Sequence, residues 1–512
     1  MSKLIHAAGT LAGLRLLLAL AGAAAWVLAL PSTGAWALAP LAPAALVLAA
    51  SGVGFAARLG LGYALGAAAA YGIWGWMFEV PGFALGHSAV LAVYLGAYPA
   101  AFAALLPLLG RSRVSFAFGA AALWTALDVL RAHAGFLAFP WGTLGHSQAA
   151  DLPLLQTAAV FGEEGVTFLV ALLGISLAEA AMRRRLRPLA PAAAAVALAC
   201  GAGALRLAAR GPEPALRVAA VQPAILREER ATVPGDRATV ERLVNLTRAA
   251  AAEKPALVVW PETAVRSLLE RPDVDARVQA LADETGATIV AGASSAEKFP
   301  SENADGSAGF RMRQTNLAAV FTPGARAAPG VYRKALLVPF AEYLPAPGFP
   351  WPSWLVGRTF DVVPGDGPVV FRLVDGTPFA PLICWENLFS GFVRRAAVDG
   401  ARVLAQLTND NWFGATAAPY QHDTVSILRA VEVGVPVVIS SNTGPSLVVD
   451  GRGRVLASAP RLFAAGTASA AVAPGSGPTP FTKGGWLFGP LACAAAAAAM
   501  LDGSRRRGEI PF

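Results

Sequence analysis

The chain has 512 residues and a mass of 52.5 kDa; 55% of its residues are hydrophobic, only 14% are charged, and the mean hydropathy is +0.52. A soluble domain carries roughly 25% charged residues, so these figures exclude a soluble enzyme along the whole length, and they exclude a disordered chain. The formal charge of +8 lies outside residues 211–482, where 25 Lys/Arg balance 25 Asp/Glu, so the pI of 9.7 is no sign of a nucleic-acid partner.

Eight apolar runs come near the roughly 20 residues needed to cross a ~30 Å hydrocarbon core. They cover 9–30, 34–50, 59–78, 88–109, 114–132, 164–182, 188–207 and 485–501. The second is short and contains Pro40 and Pro43. The first is too long, and too closely followed by others, to read as a cleaved signal peptide. With eight spans, Lys3, Arg58, Arg111, Arg113, the run Arg183–Arg187 and Arg505–Arg507 fall on one side, while the opposite short loops offer mainly Arg131. Positive charge accumulates on the cytoplasmic side. Both termini are then expected in the cytoplasm and residues 211–482 outside it. Asp128 with Arg131 and Glu179 with Arg183 have helical pair spacing. Glu163 and Glu164 open the sixth span, where a helix N-terminus favours negative charge.

From Leu216 the pattern changes. Short β-type runs at Leu216–Gln222, Ala256–Trp260, Thr288–Ala291, Leu317–Thr322, Val369–Leu373, Ala380–Cys384, Arg402–Thr408 and Val435–Ser440 alternate with helical stretches at 236–253, 274–285, 390–399 and 421–433. That alternation predicts an α/β fold. The expected domains are 1–210 (seven spans), 211–482 (extramembranous) and 483–512 (last span and tail). GxxxxGK[ST], G-x-S-x-G, H-E-x-x-H and C-x-x-C are all absent, and the five histidines are scattered. No metal and no cofactor are expected.

Three apolar runs end in chemistry-bearing residues. Val258-Val259-Trp260-Pro261-Glu262 ends on a carboxylate. Val331-Tyr332-Arg333-Lys334 carries one of only five lysines, against 36 arginines. Leu382-Ile383-Cys384-Trp385-Glu386 carries the only cysteine of 211–482. Alone, each is an ordinary strand end, and an unpaired cysteine is a packing residue or a nucleophile. Together, Glu262, Lys334 and Cys384 stand in order, 72 and then 50 residues apart.

In these residues the chain resembles the nitrilase superfamily, and, with apolar spans on both sides, its membrane branch, the apolipoprotein N-acyltransferase family. Pro339-Phe340-Ala341-Glu342-Tyr343 resembles that family's VPFGEY segment, and Thr408–Gly414 (TNDNWFG) its SNDAWFG segment. Phe139-Pro140-Trp141 and Gly145-His146-Ser147-Gln148 resemble its outer loop before span six. There are departures: Val221–Arg230 lacks the family's Trp, Trp385 replaces a Tyr, and Val435 replaces the Arg of E-x-G-R-P.

The resemblance implies an α-β-β-α nitrilase-like sandwich joined to eight transmembrane helices. It also implies a Glu-Lys-Cys triad, with Glu262 as general base, Lys334 at the oxyanion and Cys384 as nucleophile. Glu342 and Glu386 are expected beside the triad, orienting it or an incoming amine, with Trp385 and Trp412 as supporting residues. The implied substrates are a phospholipid acyl donor and a diacylglyceryl apolipoprotein acceptor, at the inner membrane, with a periplasmic catalytic domain and a monomeric chain. The segment Tyr343–Gly357, with Phe349, Trp351 and Trp354, reads as an interfacial lid beside a membrane. Two rivals remain at this stage. A membrane-tethered amidase has no need of eight spans. A transporter or binding scaffold predicts a broken triad and more charge deep in the spans.

Overall fold

The computed structural model describes residues 2–229, 233–302, 308–356 and 361–506. Arg230, Gly357 and Arg507, named above, lie outside them, as does the rest of the C-terminal tail. The chain packs as two compact units. One holds the apolar helices up to Ala209, the segment Thr416–Thr424 and the helix beyond Lys483; the other holds Arg210–Ala415 and Val425–Thr482.

In the first unit, helices stand at all eight apolar runs: Ser2–Ala29, Leu41–Ala50, Phe55–Trp74, Leu85–Gly110, Phe116–Ala132, Ala158–Arg183, Leu189–Ala208 and Phe488–Arg505. Five stretches are long and apolar enough to cross a membrane: Thr10–Ala29, Leu85–Gly110, Ala158–Arg183, Leu189–Ala208 and Gly485–Arg505. The other three fall short for separate reasons. Leu41–Ala50 has 10 residues, about 15 Å of helix. Phe116–Ala132 has 17 residues. Phe55–Trp74 has the length, but Arg58, two tyrosines and four glycines dilute its apolarity. Two of those glycines are needed for close packing: a Cβ on Gly62 would lie 2.4 Å from the Ala100 Cα, and one on Gly66 2.7 Å from the Gly96 Cα. Small residues at such crossings let membrane helices approach closely.

Two ion pairs in this unit are local. Arg131 meets Asp128 at 3.0 Å and Arg183 meets Glu179 at 2.8 Å, as their spacing predicts. The helix Ala158–Arg183 breaks at Gly162, with φ +71°, so Glu163 opens a new helical segment. Glu163 does more than face a helix N-terminus: it accepts a bond from Thr143 Oγ1 at 2.5 Å and lies 3.2 Å from His146 Nε2. The expected 211–482 domain is interrupted at Thr416–Thr424, which packs with the apolar helices. There Gln421 accepts from Trp141 Nε1 at 3.0 Å and donates to the Pro31 and Ile73 carbonyls, and His422 stacks on Trp141. An amide side chain signals no such role in sequence.

The second unit contains the strands β1 (Leu216–Gln222), β2 (Leu257–Val259), β3 (Val265–Arg266), β4 (Thr288–Glu302), β5 (Ala308–Phe321), β6 (Gly330–Arg333), β7 (Phe371–Arg372), β8 (Pro378–Ile383), β9 (Val403–Thr408), β10 (Val437–Ser441), β11 (Leu447–Val449), β12 (Val455–Ser458) and β13 (Gly466–Val472). They form two sheets, ordered β13-β1-β2-β4-β5-β6, with β3 beside β4, and β12-β11-β10-β9-β8-β7. The alternation along each strand explains the layering. Val218, Ala220, Val259 and Val290 meet Ile383, Val403, Ala405 and Val438 between the sheets. Ala219, Val221, Val258 and Ile289 face away from that layer and pack with Leu243, Val244, Val278 and Leu281 of the helices Val233–Ala251 and Pro272–Thr285. The second sheet is followed by the helices Ser390–Val398 and Ala418–Val433, and β9 and β10 are buried along their whole length. This is the nitrilase-like α-β-β-α arrangement. Strands buried on both faces read as unbroken apolar runs.

Candidate functional site

Each candidate side chain follows directly from a strand. Glu262 stands three residues past β2. Trp260, fully buried, donates its indole N–H to Thr247 Oγ1 at 2.9 Å and its backbone N–H to the Val290 carbonyl. Strand β4 passes so close that a Cβ on Gly292 would lie 1.9 Å from the Pro261 carbonyl oxygen; only glycine leaves the Glu262 turn in place. Lys334 is the first residue after β6. Its N–H donates to the Asn316 carbonyl at 2.8 Å and its carbonyl accepts from the Gly365 N–H at 2.9 Å. Cys384 is the first residue after β8, with φ +50°, and its carbonyl accepts from Gln406 Nε2 at 3.0 Å. Thr263 and Phe340 also have positive φ, +47° and +63°. Such conformations in non-glycine residues cost of order 1–3 kcal/mol each and cluster at functional sites.

The strand ends bring charges together from distant sequence. Lys334 Nζ lies 2.9 Å from Glu342 Oε1 and 3.5 Å from Glu262 Oε1. Asn316 Nδ2 donates to Glu262 Oε1 at 2.7 Å and approaches Glu342 Oε1 at 3.5 Å, while the Val338 N–H donates to Glu342 Oε2 at 2.8 Å. Lys334 is 1% exposed and Glu262 7%. Burial alone lowers a lysine's pKa, but Glu342, then Cys384 once it is ionised, and Glu262 outweigh it and raise that of Lys334, which stays an ammonium. Burial raises the Cys384 pKa well above the ordinary thiol value; Glu262 raises it further, Lys334 opposes, and Glu342 and Asp410 add to the rise. The resting cysteine is therefore a thiol beside a carboxylate, not a preformed thiolate.

Glu386, expected to orient the triad or an incoming amine, is fully buried. Its Oε1 accepts from Tyr332 Oη at 2.6 Å, the Ala335 N–H at 2.7 Å and the Leu336 N–H at 3.2 Å, and its Oε2 accepts from the Ile383 N–H at 2.7 Å. One carboxylate thus ties the chain after Lys334 to the residue before Cys384. Burial pushes its pKa up to about 7, against these donors and the Lys334 charge. Trp385 is also buried, in edge contact with Phe389 at 5.8 Å. Trp412 is half-buried and carries Arg227 over its ring at 4.5 Å. The arm after Tyr343 packs partly on itself: Trp351 contacts Phe340 and Phe349 and donates to the Pro345 carbonyl, while Phe349 and Trp354 are each 55% exposed.

Sequence reasoning missed Asn316, Tyr332, Gln406 and Gly292. Each lies inside an apolar strand or its margin, and its only sequence signal is a polar or small residue where an apolar one fits the pattern. Asp410 lay in a quoted segment but had no role; it accepts from Thr408 Oγ1 at 3.1 Å and Ser441 Oγ at 2.8 Å. Among the described residues, no group of three His, Cys, Asp or Glu side chains is placed to hold a metal ion. The arrangement fits nucleophilic acyl chemistry, with a thiol that feels the charges of a carboxylate and of a fixed cation.

The profile of the carbon-nitrogen hydrolase family matches residues 217–477, and that of the apolipoprotein N-acyltransferase N-terminal domain matches residues 22–176. The chain is 31% identical over 506 residues to an apolipoprotein N-acyltransferase of Geobacter metallireducens, covering 94% of each chain. It is 34% identical over 394 residues to one from Agrobacterium fabrum, covering 73% of this chain and 70% of that one. Among solved structures, it is similar to an amidase from Nesterenkonia sp. AN1, with 17% identity and a TM-score of 0.37, over 54% of this chain and 96% of that chain.

Proposed function

This chain belongs to the apolipoprotein N-acyltransferase family, and from that premise we infer that it is a membrane-bound acyltransferase working through a thioester on Cys384. It moves an acyl chain from a phospholipid to the α-amine of the S-diacylglyceryl cysteine that begins a lipoprotein. The observation that carries this reading is the convergence of Glu262, Lys334 and Glu342 beside a cysteine set at a strand end with positive φ.

In the first half-reaction the Cys384 sulfur attacks the donor ester carbonyl. Because the thiol is held protonated, Glu262 takes its proton as the C–S bond forms. The oxyanion is met by Lys334, with a backbone N–H near Cys384 as second donor; such donors are typically worth about 2.7–4 kcal/mol each. The tetrahedral intermediate collapses, the C–O bond breaks, and Glu262 returns the proton to the departing lysophospholipid oxygen. In the second half-reaction Glu262 takes a proton from the incoming amine, nitrogen displaces sulfur, and the proton returns to Cys384. Glu342 holds Lys334 against burial, Asn316 fixes the Glu262 carboxylate, and Glu386 fixes the two strand ends to each other. Every group named comes from one chain, so a monomer suffices.

The topology belongs to the same proposal: eight crossings, an inner-membrane location, both termini cytoplasmic and residues 211–482 periplasmic. Helices at all eight apolar runs and the one-sided arginine clusters support it. A reporter active only outside the cytoplasm, inserted at the exposed turn around Gly376, is expected to be active; silence there, with activity at a C-terminal fusion, contradicts the topology. For the chemistry, steady-state rates over a grid of donor and acceptor concentrations should give parallel double-reciprocal lines, the mark of a covalent intermediate between two substrates. Intersecting lines argue for direct transfer and against the thioester.

A further inference from the structure

In the segment after the first strand of the sandwich, Arg227 is exposed and lies over the Trp412 ring, 4.5 Å from its centroid. We propose that Arg227, presented by Trp412, is the binding residue for the phosphodiester of the acyl-donor phospholipid. The inference rests on the acyltransferase reading above.

The loop that carries Arg227 is stitched to the site. The Ala224 N–H donates to the Asn442 carbonyl at 2.7 Å, and the Ile225 N–H to Asn442 Oδ1 at 3.1 Å. The Ile225 carbonyl accepts from Asn442 Nδ2 at 2.8 Å and from Asn411 Nδ2 at 3.4 Å, and Asn442 also reaches Asn409 Oδ1. The turn Asp410–Trp412 follows β9, the neighbour of β8, which ends just before Cys384. From β9, Gln406 holds the Cys384 carbonyl and the Thr408 carbonyl accepts from the Glu262 N–H at 3.4 Å. Trp412 is thus on the segment that touches both the nucleophile and the base.

Charge supply points the same way. A phospholipid brings a phosphodiester monoanion, and residues 211–482 carry no net charge to meet it. Lys334 is buried and held between two carboxylates. Arg242 is bound to the Pro223 and Ala224 carbonyls and faces Glu229, and Arg313 faces Asp361. Arg227 has no carboxylate partner among the described residues. Stacking on an indole orders its side chain and leaves the edge of the guanidinium, with its fork of N–H donors, free to match two phosphate oxygens. The phosphate stays on the lysophospholipid throughout acyl transfer, so the contact is equal in ground and transition states. Such uniform binding lowers KM and leaves kcat alone.

The test compares two donors of the same acyl chain in neutral detergent micelles: phosphatidylcholine, and a p-nitrophenyl ester, which has no phosphate. Acylation of Cys384 is followed by intact mass over a range of donor concentrations. Arg227→Gln is expected to raise the half-saturating phosphatidylcholine concentration about tenfold, the effect of losing one exposed charge-assisted contact, with an unchanged maximal rate. The ratio of the two donors' efficiencies should fall by the same factor, and Arg227→Lys should restore part of it. An equal loss with both donors means that Arg227 only holds the Trp412 turn, and overturns the proposal. So does a loss confined to anionic vesicles, which is attraction to a charged surface. If wild-type Cys384 is acylated by neither donor, the acyltransferase reading itself fails, a distinct result.

Discussion

The ion pairs on the apolar helices and the cluster at the sandwich's strand ends hold charge in different ways. Among the apolar helices, two carboxylates are paired within about one helical turn: Asp128 with Arg131 and Glu179 with Arg183. In the sandwich, Glu262 after β2 meets Lys334 after β6 and Glu342 from the loop eight residues further on, two carboxylates around one ammonium, with a third carboxylate, Glu386, buried nearby. Local pairs of opposite sign satisfy a charge where it stands. A nonlocal cluster with excess negative charge, a fixed cation and a protonated thiol is what the proposed proton transfers need. On that proposal the contrast separates charge that anchors helices from charge that does chemistry.

The largest expected effects come from dismantling the nonlocal cluster. Glu262→Gln, Lys334→Ala and Cys384→Ala should each lower acyl transfer by at least about 10³-fold, measured with labelled phospholipid and a diacylglyceryl peptide. The double and triple variants should lose little more, because the three act as one unit. Multiplicative losses contradict that. Next comes Glu386→Gln. Both carboxylate oxygens accept N–H or O–H bonds, so an amide must turn its NH₂ toward a donor. We expect a loss of about 10–100-fold, from 1–3 kcal/mol of disrupted bonding, with thioester formation and overall transfer falling together. Acyl-enzyme accumulating in this variant contradicts a positioning role and restores amine steering.

Glu386 also sets a pH dependence. Its folded pKa of about 7 lies above the ordinary 4.5, so between those values the folded protein holds a proton that the unfolded chain releases. That contribution to stability is full below pH about 4.5 and is lost as pH rises through about 7. The fall in melting temperature over this window should flatten in Glu386→Gln; an unchanged slope rules it out.

A smaller and more pointed effect concerns the free thiol. The Glu262 charge holds the Cys384 pKa up and Lys334 holds it down. Glu262→Gln should therefore speed alkylation of Cys384 by iodoacetamide at pH 8 a few-fold while abolishing transfer, and Lys334→Met should slow it. Slower alkylation in Glu262→Gln means that Glu262 activates the thiol in the resting state. The smallest effect tests the other side of the contrast. Arg183→Gln, in a partly exposed helical pair, should leave transfer within about twofold of wild type, since such pairs contribute little. A large loss there breaks the distinction between anchoring and chemical charge.

The parts legible in sequence were those with local causes. Leu216–Gln222 was placed residue for residue, and the four expected helices of 211–482 all form. The carboxylates Glu163 and Glu164 marked the start of the sixth span, and the helix does break just before them, at Gly162. The three site strand ends were readable from rare residues after apolar runs. What failed to show has nonlocal causes. Strand β13 is built of small residues, Gly466–Val472, and exists because it pairs along β1. Asn316 looks like a strand defect until Glu262 arrives from 54 residues away. Glu386 is expected beside the triad, but its full burial shows only in the structure, where four donors meet it, three from residues 332–336 and one from Ile383 of its own turn. The shortness of Leu41–Ala50 follows from Pro40 before it and Ser51, extended, after it.

The central claim is that Cys384 carries the acyl chain between two substrates. Incubation of the purified protein with a phospholipid of defined chain, then digestion and mass spectrometry of the peptide containing Cys384, tests it directly. The account predicts a shift of one acyl group on that peptide, labile to hydroxylamine and discharged when a diacylglyceryl peptide with a free amine is added. An unshifted Cys384 peptide in a preparation that still transfers acyl chains, or full activity in Cys384→Ser, contradicts it.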